Sequence, residues 1–246
     1  MSGCFTKCMA PEPRGRLAET IRFMRKPSAT TTASRCEVQP GIWLDSRRAV
    51  WFASERLLAI ADLHWGYAAS HRARGNLLPV WGDDEIEARL ASLVRDYAPA
   101  EMLWLGDIVH AAEGDAAVLR HLEASPVKIT LLAGNHDRRW TRVIERTATR
   151  GRFFFHHGDM EQETPAGHVA VVGHHHPAVV LGDGAGGKVK LPALVAGRDR
   201  LVLPAFSPWA AGADCSRLAG PDATVWAIAP TRIFALPDFS RTSAAV

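Results

Sequence analysis

The sequence predicts an α/β sandwich with buried strands in one large domain, completed by a second, more antiparallel sheet. Three observations carry this. From Cys36 onward, short apolar runs alternate with segments of helical period. Past Pro177, strand-like runs succeed one another with no helical period between them. Five of the apolar runs end in clusters of Asp, Asn and His, so the polar chemistry sits where strands stop.

AVWF (49–52) and LLAIA (57–61) read as strands, with Ser54 and Glu55 in the turn between them. DDEIEARLASLVRDYA (83–98) places Ile86, Leu90, Leu93, Val94 and Tyr97 on one helical stripe, and its acidic start suits the positive end of the helix dipole. MLWL (102–105), a short helix near 115–123 and VKITLLA (127–133) follow. A helix is predicted near 138–148, then strands RFFF (152–155) and HVAVV (168–172). GDGAGGK (182–188) is a loop, and KVKLPALV, RLVLPAF, TVWAIA and RIFAL after it form the second sheet. Residues 36–246 show no internal repeat and no linker.

Of the 246 residues, 47% are hydrophobic and 22% charged, which is ordinary for a soluble globular chain and enough for a core without staples. Cys4, Cys8, Cys36 and Cys215 have neither zinc-knuckle nor redox spacing, which fits a reduced, cytoplasmic setting. No run approaches the ~18 apolar residues of a membrane span, and the N-terminus lacks the apolar core of a secretory signal, so neither membrane nor export is expected. The net charge of +3 is unevenly placed. Residues 1–35 hold seven Lys/Arg and two Asp/Glu, a balance of +5 that leaves about −2 for 36–246. That basic segment, rich in Ser, Thr and Pro, reads as a solvated, disordered arm suited to a polyanion, with Met24 as an alternative start. The folded part carries no whole-domain basic signature for nucleic acid.

The residues after each strand carry the chemistry. LLAIA runs into Asp62-Leu63-His64, and MLWL into Gly106-Asp107, with His110 three residues on. VKITLLA runs into Gly134-Asn135-His136-Asp137, RFFF into His156-His157-Gly158-Asp159, and HVAVV into Gly173-His174-His175-His176. Open α/β sheets place sites at these carboxyl ends. In an extended segment, residues two apart face one way, so Asp62 can join His64, and His174 can join His176, with His175 pointing elsewhere. Singly, each cluster is ordinary: Asp-x-His occurs in caps, Gly-Asp in turns, and Gly-Asn-His-Asp at helix entrances where Asn135 or Asp137 caps. Five in order, each after an apolar run, point to a metal site.

Carboxylate, amide oxygen and imidazole without thiolate suit Mn²⁺, Fe or Zn²⁺ in a reactive rather than structural role. The donors are too many for one ion, and two ions about 3.5–4 Å apart would use them, with Asp107 as the bridge. Such a pair activates a bridging hydroxide at neutral pH and neutralises phosphoryl charge, so phosphate-ester hydrolysis is the expected reaction.

The order D-x-H, G-D, G-N-H-D, H-G and G-H-x-H across 62–176 resembles the calcineurin-like metallophosphoesterase superfamily. The resemblance implies a four-layer sandwich, two facing mixed sheets flanked by helices, over 36–246. It also implies that Asp62, His64 and His176 bind one metal, Asn135, His157 and His174 the other, and that Asp107 bridges them. By the same resemblance His136 is no ligand; it protonates the leaving oxygen or stabilises the transition state. One departure is visible: family members often read G-D-x-x-D, the second aspartate orienting the catalytic histidine, where this chain has His110. His110 is a candidate hydrogen-bond partner of the site in its place, although a cation there would lower the basicity of His136. Asp137 and Asp159 are the alternative orienters.

ADLHWGY…RARGNLLP (61–79), GDIVH, RLVLPAFSPWAAG (200–212) and RIFALP (232–237) are similar to the ICC-like phosphoesterases, although that branch often carries a different run directly after Asp-Leu-His. The branch includes bacterial ligase-associated DNA damage response endonucleases, which implies DNA as substrate and a DNA ligase/helicase repair system as partners. Arg72 and Arg74, on an expected loop, are candidates to clamp a phosphate. Trp65, Tyr67 and Trp140 are candidates to stack a base. A phosphodiesterase or nuclease therefore leads. The alternatives are a small-molecule phosphatase or nucleotide pyrophosphatase, favoured by the negative folded part, and an inactive metal-binding scaffold, which the complete ligand set opposes. Walker A, H-E-x-x-H and G-x-S-x-G patterns are absent.

Overall fold

The structure is a computed structural model and describes residues 34–140 and 145–236. The basic segment read as an arm falls, up to residue 33, outside the described residues.

One sheet runs in sequence order: β1 (Arg35–Gln39), β2 (Ile42–Asp45), β3 (Ala49–Phe52), β4 (Leu57–Ile60), β5 (Glu101–Leu105) and β6 (Lys128–Leu132). The first four strands pair antiparallel through short turns. Parallel pairing of β4, β5 and β6 needs crossovers. These contain α1 (Tyr67–Ala73) and α2 (Gly82–Tyr97) before β5, and α3 (Asp115–Ala124) before β6.

The second sheet contains β7 (Thr147–Arg150), β8 (Phe153–His156), β9 (Val169–Val172), β10 (Pro177–Gly182), β11 (Lys188–Ala196), β12 (Arg200–Val202), β13 (Ala213–Asp214), β14 (Thr224–Ile228) and β15 (Ile233–Leu236). Its spatial order is β13-β10-β11-β12-β9-β8-β7, with β14 and then β15 added on β11. The parallel trio β8, β9 and β12 sits among antiparallel neighbours. Each sheet thus brings its parallel carboxyl ends to one edge.

Period-two alternation explains the packing. In LLAIA, Leu57, Ala59 and Ala61 point between the sheets, while Leu58 and Ile60 point toward the helices. Phe52 meets Phe153 and Phe155 across the sandwich, with ring centroids 4.6 and 5.4 Å apart. The predicted stripe of α2 buries Ile86, Leu90 and Leu93 on the first sheet, beside Val118 of α3. Cys215, Leu218, Ala219 and Ala223 close the outer face of the second sheet. Among the described residues, no helix is long and apolar enough to cross a membrane.

Several local expectations need correcting. The helix expected near 138–148 is a 3-10 turn at His136–Arg139 and, after undescribed residues, strand β7. The expected loop holding Arg72 is α1, with Arg74 at its end. RFFF and HVAVV belong to the second sheet, which therefore starts before Pro177. The hairpin β1–β2 and strand β10 carry strand structure where none was predicted.

At the end of the sandwich far from the strand carboxyl ends, Glu101 of β5 accepts two 2.8 Å bonds from Arg150 of β7, joining the sheets. Lys128 and Thr130 also contact it. The Arg150 bonds hold its pKa at about 2, against an ordinary 4.5. Glu101→Gln is expected to cost about 1 kcal/mol near neutral pH. Because the folded pKa is depressed, that contribution is complete above pH 4.5 and fades as pH falls toward about 2. Urea unfolding of both proteins at about pH 7 and about pH 3 checks this, and an equal gap at both would refute it.

Candidate metal centre

The ligand candidates stand on an unusual backbone. Asp62, His64, Asp107, His174 and His176 have φ of 57°, 49°, 48°, 65° and 44°. For residues with a Cβ this left-handed region costs roughly 1–2 kcal/mol each. The convergence of Asp62 with His64, and of His174 with His176, therefore comes from sharp turns at the strand ends and not from the extended alternation expected. Two glycines make room for the crowding. A Cβ on Gly134 would overlap the amide and carboxylate of Asp107, and Gly106, at φ 77°, lies against the His157 ring.

Asp62, His64, Asp107 and His176 each bring a donor atom within 4.8 Å of the others. His176 Nε2 lies 3.4 Å from Asp62 Oδ1 and 3.4 Å from His64 Nε2, and His64 Nε2 lies 3.9 Å from Asp107 Oδ2. Asp107, His157 and His174 make a second group of the same span. His157 Nε2 is 3.3 Å from Asp107 Oδ1 and 3.3 Å from Asn135 Oδ1. Asp107 is thus common to both groups, one oxygen toward each.

Supporting bonds fix these side chains. His157 Nδ1–H donates to Leu105 O at 2.7 Å, which turns Nε2 toward Asp107. The His174 amide donates to both Asp62 oxygens, and the His136 amide donates to Asp107 Oδ1 at 2.9 Å. Burial opposes charge on His157, but the hydrogen bond and charge of Asp107 outweigh it and raise the pKa to about 9. Burial likewise works against the Asp107 carboxylate, yet His157 and the His136 amide hold its pKa well below the usual range. Burial pushes His64 down to about 4. His175 turns away and accepts from Arg200 Nη2 at 2.9 Å.

His136 is exposed at the mouth, its ring 5.1 Å from His64 and 5.2 Å from His110 between centroids. Asp137 does not orient it. The Asp137 carboxylate accepts the amides of Ile108 (2.9 Å), Val109 (3.2 Å) and Gly134 (2.9 Å), locking the loop after β5 to the loop after β6. The alternative of a side-chain cap in Gly-Asn-His-Asp is not met, since Asn135 sits at the cap position of the 3-10 turn without such a bond. Arg72 is exposed and donates to Leu78 O. Arg74 lies near enough to His110 to help lower its pKa, after burial, His136 and His71. Trp65 is fully buried in the core and offers no stacking face; Tyr67 instead stacks on His71 at 4.4 Å. A cavity of about 260 Å³ lies beside His176, lined by Arg48, Lys190 and Gly212 among others, and no motif in the sequence announces it. Its two cations come from a turn and a strand outside every motif.

The centre straddles the seam between the sheets. Asp62, His64, Asp107 and Asn135 follow strands of the first sheet, and His157, His174 and His176 follow strands of the second. Residues 203–207 stitch that seam: Leu203 N–H donates to Val172 O, Phe206 N–H to Ala61 O and Ser207 N–H to Asp62 O. The donor set fits divalent cations. Two buried carboxylates and imidazole nitrogens 3.4 Å apart converge with no arginine or lysine in either donor group among the described residues, and carboxylates and imidazoles crowded this way want a cation at the centre.

A model of the calcineurin-like phosphoesterase family matches residues 55–224. The chain belongs to that family. It is accordingly a metal-dependent phosphoric ester hydrolase. The phosphoesterase also superposes on the crystal structure of Pseudomonas putida nuclease MPE with a TM-score of 0.63. The two are 23% identical over 83% of this chain and 100% of that one, which supports the same fold. No curated protein sequence matches the phosphoesterase.

Proposed function

We propose that the protein is a two-metal phosphodiesterase acting on nucleic acid, with Mn²⁺ as the working cation. The observation that carries this reading is the shared Asp107 between two donor groups, with His136 exposed beside them. Asp62, His64, Asp107 and His176 would hold one cation, and Asp107, Asn135, His157 and His174 the other. Together the cations would supply Lewis acidity, activating water at neutral pH and neutralising charge on the phosphoryl oxygens. Oxygen donors in each group favour Mn²⁺, with Fe and Zn²⁺ as competitors.

The rest of the work falls to protein groups. His136 holds a proton at its imidazole and delivers it to the leaving oxygen. The Asp107 carboxylate holds the His136 amide, and so sets where that ring stands. The nuclease named for the P. putida structure supports a nucleic-acid substrate, and the ICC-like motifs support a DNA-repair role beside a DNA ligase/helicase system, in the cytoplasm. One observation favours a small-molecule phosphatase or nucleotide pyrophosphatase instead: residues 36–246 carry about −2, whereas duplex binding draws on basic surface.

The test is Mn²⁺-reconstituted hydrolysis of a chromogenic phosphodiester against its monoester. A diester preference is expected, and a monoester preference would transfer the assignment to the phosphatase reading. His136→Ala is expected to lower turnover by roughly 10²–10⁴-fold while metal content stays near that of the parent. Loss of either of the two Mn²⁺ in that variant would make His136 a ligand of the two-metal centre and sink the proton-donor role.

A further inference from the structure

A third group of imidazoles lies against the two-metal centre. His64, His110 and His136 each bring a ring nitrogen within 4.8 Å of the other two. Their centroids are 5.6 Å (His64–His110), 5.1 Å (His64–His136) and 5.2 Å (His110–His136) apart. The pairs assigned to a common cation above have nearly the same spacing: 5.2 Å for His64–His176 and 5.0 Å for His157–His174. Imidazoles bound to one ion at about 2.0–2.1 Å in tetrahedral array have centroids about 5 Å apart. The trio already has the span of a ligand set.

A second observation points the same way. Nδ1 of His64 and Nδ1 of His110 are both buried and lack a hydrogen-bond partner among the described residues. His64 is only 6% exposed, and its Nε2 faces Asp107 and His176, which leaves Nδ1. With Nε2 on the first cation, Nδ1 carries the ring proton. That proton passes to solvent as the third ion binds, so that His64 bridges the two ions as an imidazolate. Burying a polar atom unpaired costs about 1–3 kcal/mol, which coordination would relieve. No carboxylate among the described residues bonds the His136 ring, because Asp137 is committed to three backbone amides.

We propose that His64, His110 and His136 form a regulatory site for a third divalent ion, and that its occupation withdraws His136 from the leaving group. The chemistry differs from that of the other two groups. Those contain carboxylates, whereas this one is all imidazole, which selects Zn²⁺ over Mn²⁺. His136 is exposed, so the ion enters from solvent without any opening of the fold. Once an imidazole nitrogen of His136 is coordinated, its lone pair no longer carries the proton that leaves with the product. Excess zinc then inhibits the enzyme. The inhibition rests on the role proposed for His136; the binding does not.

The experiment is metal content per chain after equilibration of the full chain with graded Zn²⁺ or Mn²⁺ and removal of free ion. His110→Phe is the comparison, because phenylalanine keeps a ring against Tyr67, 4.6 Å away between centroids, and His110 Nδ1 gives up no hydrogen bond. The expected result is three Zn²⁺ in the parent and two in His110→Phe, with two Mn²⁺ in both. Inhibition at high Zn²⁺, measured relative to each protein's own rate, is expected to disappear with the third equivalent. Two Zn²⁺ in both proteins would overturn the third site and leave the two-metal centre standing; fewer than two in the parent would overturn both. Three in both would remove His110 from the site and overturn the proposal as stated. If circular dichroism shows His110→Phe unfolded, the exposed His136→Phe carries the same stoichiometric test.

Discussion

Asp107→Ala is expected to lose metal and turnover together, with hydrolysis falling on the order of 10³-fold or more, at or beyond what removal of one electrostatic stabiliser costs. Both donor groups include this carboxylate, so among the described residues no other single substitution strips an oxygen from each. The damage extends to the backbone, since Asp107 Oδ1 accepts the His136 amide, and the loop carrying Asn135 and His136 loses that anchor. His157 also loses the hydrogen bond and the charge that do most to raise its pKa against burial. Metal analysis beside a rate assay separates the outcomes. Retained activity with two ions bound would defeat the shared-ligand arrangement, whereas loss of both supports it.

Asp137→Ala is expected to be the most destabilising substitution near the centre, although Asp137 belongs to neither metal-donor group. Its carboxylate is 3% exposed and receives three backbone amides. Truncation leaves those donors buried without acceptors at about 1–3 kcal/mol each, so roughly 3 kcal/mol or more is lost. For a chain of this size that lowers Tm by about 6–12 °C. Asp137→Asn should recover only part, because an amide NH₂ would meet an N–H where an oxygen is needed. Thermal unfolding of the three proteins decides it. A shift under about 2 °C for the alanine variant would mean that the two loops are held together by other contacts.

The strand ends and the α2 stripe were legible in the sequence because their signals are local. A run such as LLAIA followed at once by Asp62-Leu63-His64 states both the strand and the chemistry within eight residues. Sheet membership was not legible. RFFF and HVAVV look like the runs before them, and only pairing with β12, far along the chain, puts them in the second sheet. Residues 147 and 148 fell within the helix predicted near 138–148; the pairing of β7 with β8 overrides that reading. α1, at seven residues, is too short to show a period. The left-handed ligand backbone carried no glycine to announce it, only Asp and His, which enter that region more readily than most residues. The commitment of Asp137 to three amides depends on two loops meeting, and no spacing within either reveals it.

The seam location of the centre bears on the lifetime of the protein. Donor candidates from both sheets converge there, so cations held as proposed would act as rivets between the two halves of the sandwich. A ligand that binds only the folded state adds about 2.7 kcal/mol when present at a hundred times its dissociation constant. Without it, the chain also bears the strained turns at five ligand positions uncompensated. A chelator then acts on this enzyme much as urea would, widening the window in which proteases find an open chain. In a cell, scarcity of the cation would thin the pool of protein as well as silence it.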